Sequence, residues 1–131
     1  MLDRHENLTK QIVNNHRGNL NKNTGDGILA VFDGLARAVH CAYHLVTAVE
    51  DMGLCIRAGL HVGGIIFRGD DIAGITVNIA APIMHKATEN EVLLTRTVME
   101  LTGGSGINFA WAGKHELKGL PTEFELFRPV V

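Results

Sequence analysis

The sequence predicts an α+β fold, with helices on one face of a sheet. Three observations predict it. Helical and strand patterns alternate in the order α-β-β-α-β-α-β-α-β-β, the connections between them are short, and a Gly-Asp-Gly turn joins a polar run to an apolar one as in a β-hairpin. The 131 residues contain no internal repeat, low-complexity tract or linker, so residues 1–131 are expected to form one domain.

The first two elements are a helix and a hairpin. Leu8 and Ile12 lie four residues apart within 2–16, and Gly18 follows, which predicts a helix with a glycine stop. Residues 19–32 then read as a β-hairpin, because glycines at the turn allow backbone angles that other residues resist. The hairpin places one carboxylate, that of Asp26, at an exposed tip.

An apolar stripe predicts the second helix. Its members recur at steps of three and four: Leu35, Val39, Ala42, Val46 and Val49. Asp33 is the expected N-cap and Gly53 the expected stop.

The rest of the chain alternates between short strands and helices. Strands are predicted over 54–62, continuing through 65–67, then over 91–95, 108–112 and 123–127. Helices are predicted over 76–88 and 96–101, the latter stopped by the glycines at 103 and 104.

Composition excludes several classes of protein. A net charge of −2 gives no electrostatic reason to expect a nucleic-acid partner or an anionic membrane surface. No apolar run reaches the roughly 20 residues that span a membrane, and the first residues lack the apolar core of a secretory signal. Cys41 and Cys55 sit in apolar surroundings and are expected to stay reduced. These features predict a soluble cytoplasmic protein.

Two segments carry a family resemblance: Lys-Asn-Thr-Gly-Asp-Gly-Ile-Leu-Ala-Val-Phe at 22–32 and Asp-Ile-Ala-Gly-Ile-Thr-Val-Asn-Ile-Ala-Ala at 71–81. With Gly-Leu-His-Val-Gly at 59–63 between them, they resemble the catalytic domain of class III adenylate and guanylate cyclases. The resemblance covers nearly the whole chain. It implies a ferredoxin-like antiparallel sheet. It also implies a site that is shared by two subunits packed head to tail and that holds a nucleoside triphosphate with two metal ions.

The hairpin and the start of the second segment carry three matches to that site. Asp26 matches a metal-binding aspartate, which implies Mg²⁺ or Mn²⁺ as cofactor. Lys22 and Asp71 match the two positions that contact the base, and this pair favours adenine over guanine. Each residue has a plainer interpretation: Asp26 as a turn residue, Lys22 as a solvated lysine on a strand edge, and Asp71 as a loop acid or helix cap.

Two further matches lie in a helix and a late turn. Asn78 matches the asparagine that orients the ribose and the reacting hydroxyl, and asparagine within an apolar helical run is otherwise poor helix material. Lys118 matches the lysine that reaches the terminal phosphates. The alternative interpretation is a surface lysine before a turn.

The resemblance also marks two absences. The family places an arginine four residues after the asparagine, to stabilise charge on the phosphate, and Pro82 stands at that position. The family also begins with a central strand that carries the first metal aspartate, whereas this sequence begins inside the following helix. A truncated chain, a degenerate gene and a partner that supplies the strand are three accounts between which the sequence does not choose.

The expected function is that of an adenylate-cyclase-like domain in intracellular signalling. It would bind ATP at the interface of a homodimer, or of a heterodimer with another cyclase domain. The family reaction would give cyclic AMP and pyrophosphate, with little turnover by this chain alone. The alternative is a non-catalytic pseudo-cyclase that binds nucleotide or regulates a complete cyclase partner.

Histidines offer a weaker hypothesis. His40 and His44 are four apart on the second helix, a spacing that can bind zinc, but no third ligand is evident and a partly exposed pair is favoured. His61, on a predicted central strand, is expected to be a hydrogen-bonded core residue.

Overall fold

A computed structural model describes residues 2–23, 28–51, 53, 56–63, 66–68, 71–73, 75–117, 120 and 123–130. The helices are α1 (Leu2–Asn15), α2 (Leu35–Asp51), α3 (Ile75–Lys86) and α4 (Arg96–Leu101). The strands are β1 (Asn19–Asn23), β2 (Ile28–Val31), β3 (Ala58–Leu60), β4 (Ile66–Arg68), β5 (Asp71–Ala73), β6 (Val92–Thr95), β7 (Asn108–Glu116) and β8 (Glu123–Val130). The α+β class predicted from the sequence is confirmed.

The main sheet has four strands in the order β3-β6-β8-β7. Its β6–β8 and β7–β8 pairs are antiparallel, as expected, but β3 and β6 are parallel. A parallel pair requires a long crossover connection, and here β4, β5 and α3 lie between the two strands along the chain. The sheet is therefore mixed, and the expectation of a wholly antiparallel sheet is wrong at this pair.

Helices cover both faces of this sheet. Leu93 of β6 packs with Ile79 and Ile83 of α3, whereas Leu94 packs with Val39 of α2. Successive side chains of a strand point to opposite faces, so α3 lies on one face and α2 on the other. The expected single helical layer is corrected: the strongly apolar β6, buried at all four residues, has two faces to cover.

The β1–β2 hairpin forms as predicted, and β4 pairs with β5 in a second small sheet. The predicted continuation of one strand through 65–67 is wrong. Residues 66–68 leave the main sheet and pair with Asp71–Ala73 instead. Each of these strands is three residues long, which is too short to show an alternating pattern in the sequence.

The predicted helices agree closely with the observed ones, and the start of α2 differs in one detail. The Ala38 N–H donates to the Gly34 carbonyl at 3.1 Å, so Gly34 rather than Asp33 is the residue that caps the helix. The Asp33 carboxylate instead pairs with the Arg37 guanidinium one turn later. At the other end, Gly53 has a φ of +78°, the conformation expected of a helix stop.

The apolar interior between α1, α2 and the hairpin contains Cys41. The residue is 2% exposed and its thiol is free, and burial raises its pKa to about 11. The thiol therefore remains protonated at neutral pH, as expected of a cysteine that serves in packing. Cys55 lies outside the described residues. Among the described helices, none is long and apolar enough to cross a membrane.

Candidate functional site

Three elements that carry predicted site residues are neighbours. β1 contains Lys22, β5 begins at Asp71, and α3 contains Asn78. β1 lies against β5, and β5 lies against α3. The fold therefore brings together chain positions that are up to 56 residues apart in sequence, the separation of Lys22 and Asn78. Asp26 and Lys118 lie outside the described residues.

The backbone positions of the two base-contacting candidates are those of strand residues. Lys22 pairs with Leu29 across the hairpin, next to an irregularity in register between Leu20 and Lys22. Asp71 pairs with Arg68 at the end of the β4–β5 hairpin. Both residues are therefore held by strand pairing rather than by isolated loops.

Pro82 lies inside α3, four residues after Asn78. Residue 82 of a regular helix would donate its N–H to the carbonyl of residue 78, and proline has no N–H to donate. The proline ring also crowds that same carbonyl. The position that the family gives to an arginine is thus occupied by a residue that brings no charge and perturbs the backbone at Asn78.

A close approach to β3 fixes the position of α3. A Cβ atom added to Gly59 would lie 2.5 Å from the Met84 nitrogen and 2.8 Å from the Ala80 oxygen, both backbone atoms of α3. Only glycine allows the helix to approach so closely. This close approach of α3 explains why the otherwise aliphatic strand β3 contains a glycine.

An open cleft of about 380 Å³ lies on the main sheet. Its lining residues come from the ends of β3, β6, β7 and β8 and from the start of α4: His61, Thr95, Arg96, Thr97, Lys114, Glu123, Phe124 and Glu125. β7 ends and β8 begins on either side of the connection that carries Lys118. Of the lining residues, Lys114 lies near the end of β7 and Glu123 is the first residue of β8.

His61 is held firmly in the cleft wall. Its Nδ1 lies 3.0 Å from the Thr95 hydroxyl, and its ring meets the Phe124 ring edge-on, with centroids 6.4 Å apart. Burial lowers the pKa of His61 below its ordinary value of 6.5. The imidazole is therefore neutral at pH 7. The predicted hydrogen bond is present, but His61 is half-buried in the wall of an open cleft rather than part of the core.

Arg96 forms ion pairs with two glutamates on one side of the cleft. Its Nε donates to Glu100 at 2.8 Å and its Nη1 donates to Glu125 at 2.5 Å. These acceptors raise the pKa of the guanidinium above its ordinary value. The two carboxylates hold Arg96 at the start of α4, and the cleft gains no net positive charge from it.

Comparisons with known proteins agree with this architecture. No family model matches the sequence. The chain is 31% identical over 129 residues to a putative adenylate cyclase 3 of Rhizobium meliloti, in a match that covers 92% of this chain and 22% of the relative. It is 28% identical over 113 residues to a pH-sensitive adenylate cyclase of Mycobacterium tuberculosis, covering 82% of this chain and 28% of the relative.

The fold has a close structural counterpart. An adenylate/guanylate cyclase/hydrolase from Silicibacter pomeroyi superposes with a TM-score of 0.88 at 24% sequence identity, covering 99% of this chain and 83% of that one. The chain belongs to the class III nucleotide cyclase catalytic domains. It spans about a fifth of the length of the Rhizobium relative and a little over a quarter of the Mycobacterium relative.

The cyclase domain holds no cluster of metal-binding side chains within its described ranges. There, His, Cys, Asp and Glu residues nowhere gather in a group of three or more that could bind a metal ion. Asp26, the assigned metal ligand, lies outside those ranges. His40 and His44 are both exposed on α2, and the His44 ring contacts His16 edge-on, with centroids 5.5 Å apart. The described residues by themselves therefore form no metal site.

Sequence analysis missed most of the cleft. Thr95, Lys114 and Phe124 lie on three different strands, and no spacing in the sequence relates them. The one available signal was His61 itself, a polar residue directly after an apolar strand. The partners of that histidine depend on strand order, which the sequence pattern left open.

Burial of His61 should make the stability of this cyclase domain depend on pH. The unfolded chain binds a proton at His61 near pH 6.5, whereas the folded chain binds it only at lower pH. The free energy of unfolding should therefore be highest above pH 6.5. It should fall as the pH drops from 6.5 towards the lower pKa that His61 has in the folded chain. The loss in melting temperature between pH 7.5 and 5.5 should be smaller in His61→Gln, which keeps a hydrogen-bonding side chain.

The exposed His85 provides the matched control. His85→Gln should melt like the unaltered protein at every pH in this range. An equal pH dependence in all three proteins, measured by circular dichroism, would show that His61 does not contribute.

Proposed function

We propose that this chain is an adenylate-cyclase-like domain that binds ATP, with its base-contacting and phosphate-contacting residues at the interface with a second cyclase domain. The observation that carries the proposal is the adjacency of β1, β5 and α3, which carry Lys22, Asp71 and Asn78. The 31% identity to a putative adenylate cyclase supports the same choice.

Each residue has a distinct role in the proposal. Lys22 donates to an acceptor of the adenine ring, and Asp71 accepts from the adenine amino group. Asn78 orients the ribose, so that the 3′-hydroxyl faces the α-phosphorus, and Lys118 pairs with the terminal phosphates. Asp26 would hold Mg²⁺ or Mn²⁺, which supplies charge neutralisation at the phosphates when bound.

The family reaction forms a bond from the ribose 3′-oxygen to the α-phosphorus and breaks the bond to pyrophosphate, while the 3′-hydroxyl loses its proton. Negative charge grows on the phosphate oxygens and the leaving group as this happens. An arginine at residue 82 would stabilise that charge, and loss of one such group typically costs about a hundredfold or more in rate. Because Pro82 stands at that position, we expect little turnover by the chain alone.

The second candidate function is that of a pseudo-cyclase, which binds nucleotide and regulates a complete cyclase subunit. One observation favours it: α3 carries a proline at the position where the resemblance implies an arginine. Under this proposal the other subunit contributes the metal ligands and the transition-state cation.

Nucleotide titration tests the proposal before turnover is considered. Calorimetry of the purified protein should show ATP binding more tightly than GTP, and Lys22→Glu should weaken ATP binding at least tenfold, which is about 1.4 kcal/mol. Lys10→Glu is the matched control, because Lys10 is exposed on α1 and carries the same change of charge. The proposal fails if ATP does not bind at millimolar concentration, or if both variants weaken it equally.

Turnover separates the two candidate functions. Concentrated protein with ATP and Mn²⁺ should form cyclic AMP slowly, and Asp26→Ala should abolish that formation if this site is responsible. Product that persists in Asp26→Ala comes from a contaminating cyclase. Binding without any turnover supports the pseudo-cyclase, and the next measurement is then the rate of a complete cyclase with this chain added.

A further inference from the structure

We propose that His61 is a positioning residue for the phosphate end of the nucleotide site. It holds the start of β8 in place, and with it the β7–β8 connection that carries Lys118. This inference rests on the proposed function, in which Lys118 pairs with the terminal phosphates. The proposed function itself gives His61 no role, although the imidazole contacts the ends of two other strands.

The start of β8 has a neighbouring strand on one side only. The pairing of β6 with β8 ends at Thr95 and Leu126, and α4 begins with the next residue of the chain. β8 itself begins at Glu123, three residues before that last pair. Among the described strands, β7 alone therefore pairs with residues 123–125. Other contacts must fix this end of β8.

Side chains on the two faces of the sheet supply those contacts. Arg96 forms an ion pair with Glu125 on one face. Because successive side chains of a strand alternate between faces, Phe124 points to the opposite face, where His61 lies. The centroids of the His61 and Phe124 rings are 6.4 Å apart and their planes meet at 88°, the edge-to-face arrangement that aromatic pairs prefer. His61 therefore supports the start of β8 on that face.

The imidazole is itself held by β3 and β6. His61 directly follows β3, and its Nδ1 lies 3.0 Å from the hydroxyl of Thr95, the last residue of β6. Thr95 is 2% exposed, and a buried hydroxyl needs a hydrogen-bonding partner. An aliphatic side chain at residue 61 could cover Phe124 but would leave this hydroxyl unpaired. A neutral imidazole makes both contacts.

Phe124 in turn packs with residues on both sides of Lys118. It lies against the apolar cluster that contains the buried Leu117, and Leu120 packs against the same cluster. The Leu120 N–H donates to the Leu117 carbonyl at 3.0 Å, which closes a turn between these two residues. Because Lys118 lies between them in the sequence, a shift of Phe124 should move the point from which Lys118 reaches the phosphates.

The position of α3 depends much less on His61. Ile83 of α3 is fully buried in the same cluster, beside Leu93 and Leu126 of the main sheet. The backbone of α3 also lies in close contact with Gly59. Loss of the His61 contacts should therefore leave Asn78 in place, and the effect on nucleotide binding should fall on the terminal phosphates.

Calorimetry with ATP and AMP tests this role, because AMP has the base and the ribose but lacks the terminal phosphates. His61→Leu should weaken ATP binding about tenfold, which is about 1.4 kcal/mol, and change AMP binding less than about twofold. His61→Gln, which keeps a hydrogen-bonding side chain for Thr95, should restore most of the ATP affinity. Thr95→Val removes the hydroxyl but keeps the shape, and it should show the same selective loss. Thr97→Val is its control, because Thr97 is exposed in the same cleft.

A double-mutant cycle shows whether the effect depends on Lys118. Lys118→Ala alone should weaken ATP binding and leave AMP binding unchanged. In that background His61→Leu should cause no further loss of ATP affinity, since two changes that act on one contact are not additive. A general loss of packing would still weaken binding there. If His61→Leu does not fold, Thr95→Val replaces it in the cycle.

Three results would overturn the proposal while the unaltered protein still binds ATP, so that the proposed function stands. Equal weakening of ATP and AMP would mean that His61 supports the whole site. An undiminished effect in the Lys118→Ala background would mean that His61 acts on another contact. Unchanged ATP binding in both His61→Leu and Thr95→Val would mean that neither residue positions the site. Failure of the unaltered protein to bind ATP would overturn both proposals.

Discussion

Gly59→Ala should destabilise the fold by about 3 kcal/mol, since forcing an extra carbon into a well-packed interior typically costs 1–3 kcal/mol or more. The new Cβ would meet the Met84 nitrogen at 2.5 Å and the Ala80 oxygen at 2.8 Å. Both are helix backbone atoms, so no side-chain rotation relieves the contact, and α3 must move as a body. Because α3 carries Asn78, the variant should also bind ATP more weakly at temperatures where it remains folded.

Gly103→Ala is the matched control for this change. A Cβ at Gly103 would have only the Glu100 oxygen nearby, at 3.3 Å, and the residue is exposed after α4. The midpoint of urea unfolding should fall clearly in Gly59→Ala and only slightly in Gly103→Ala. Equal midpoints for Gly59→Ala and the unaltered protein would mean that α3 does not depend on its close approach to β3.

Pro82→Arg should stabilise the domain and yet leave cyclic AMP formation low. Proline within a helix costs about 3 kcal/mol or more because it removes one hydrogen bond and crowds the carbonyl four residues earlier. Replacing it restores the N–H that pairs with the Asn78 carbonyl, which should raise the melting temperature by about 4 °C for each kcal/mol gained. The arginine adds a cation, but the variant gains no further metal ligand.

Pro82→Ala separates the two effects of this change. It restores the same hydrogen bond without a charge, so both variants should melt at similar, higher temperatures, while any rise in turnover should belong to Pro82→Arg alone. A fully active Pro82→Arg protein would show that Asp26 suffices as the metal ligand from this chain. A lower melting temperature in both variants would show that α3 is adapted to its proline.

Local patterns predicted the helices and the first hairpin because the physical causes are themselves local. The apolar stripe of α2 recurs at helical spacing, and the Gly-Asp-Gly sequence predicts a turn between the two strands that pair as β1 and β2. Gly53 at the end of α2 adopts the positive φ that its identity suggested. The predicted N-cap of the same helix was wrong by one residue. The Asp33 carboxylate forms an ion pair with Arg37 instead of capping the helix.

The candidate site could be predicted only in part. The positions of Lys22, Asp71 and Asn78 came from the family resemblance, and the fold adds that the elements carrying them are neighbours. Their side-chain roles remain predictions, as do those of Asp26 and Lys118. No pattern in the sequence predicted the cleft around His61, because its residues come together only when β6 and β8 pair.

By itself, the sequence determined which segments become helices and strands, since hydrophobic periodicity, turn glycines and helix stops act over a few residues. It also determined that the position four residues after Asn78 carries no charge. Only the tertiary structure decided that β3 runs parallel to β6 and that α3 and α2 cover opposite faces of the main sheet. These features depend on contacts between residues distant in the chain, and such contacts leave no periodic signal in the sequence.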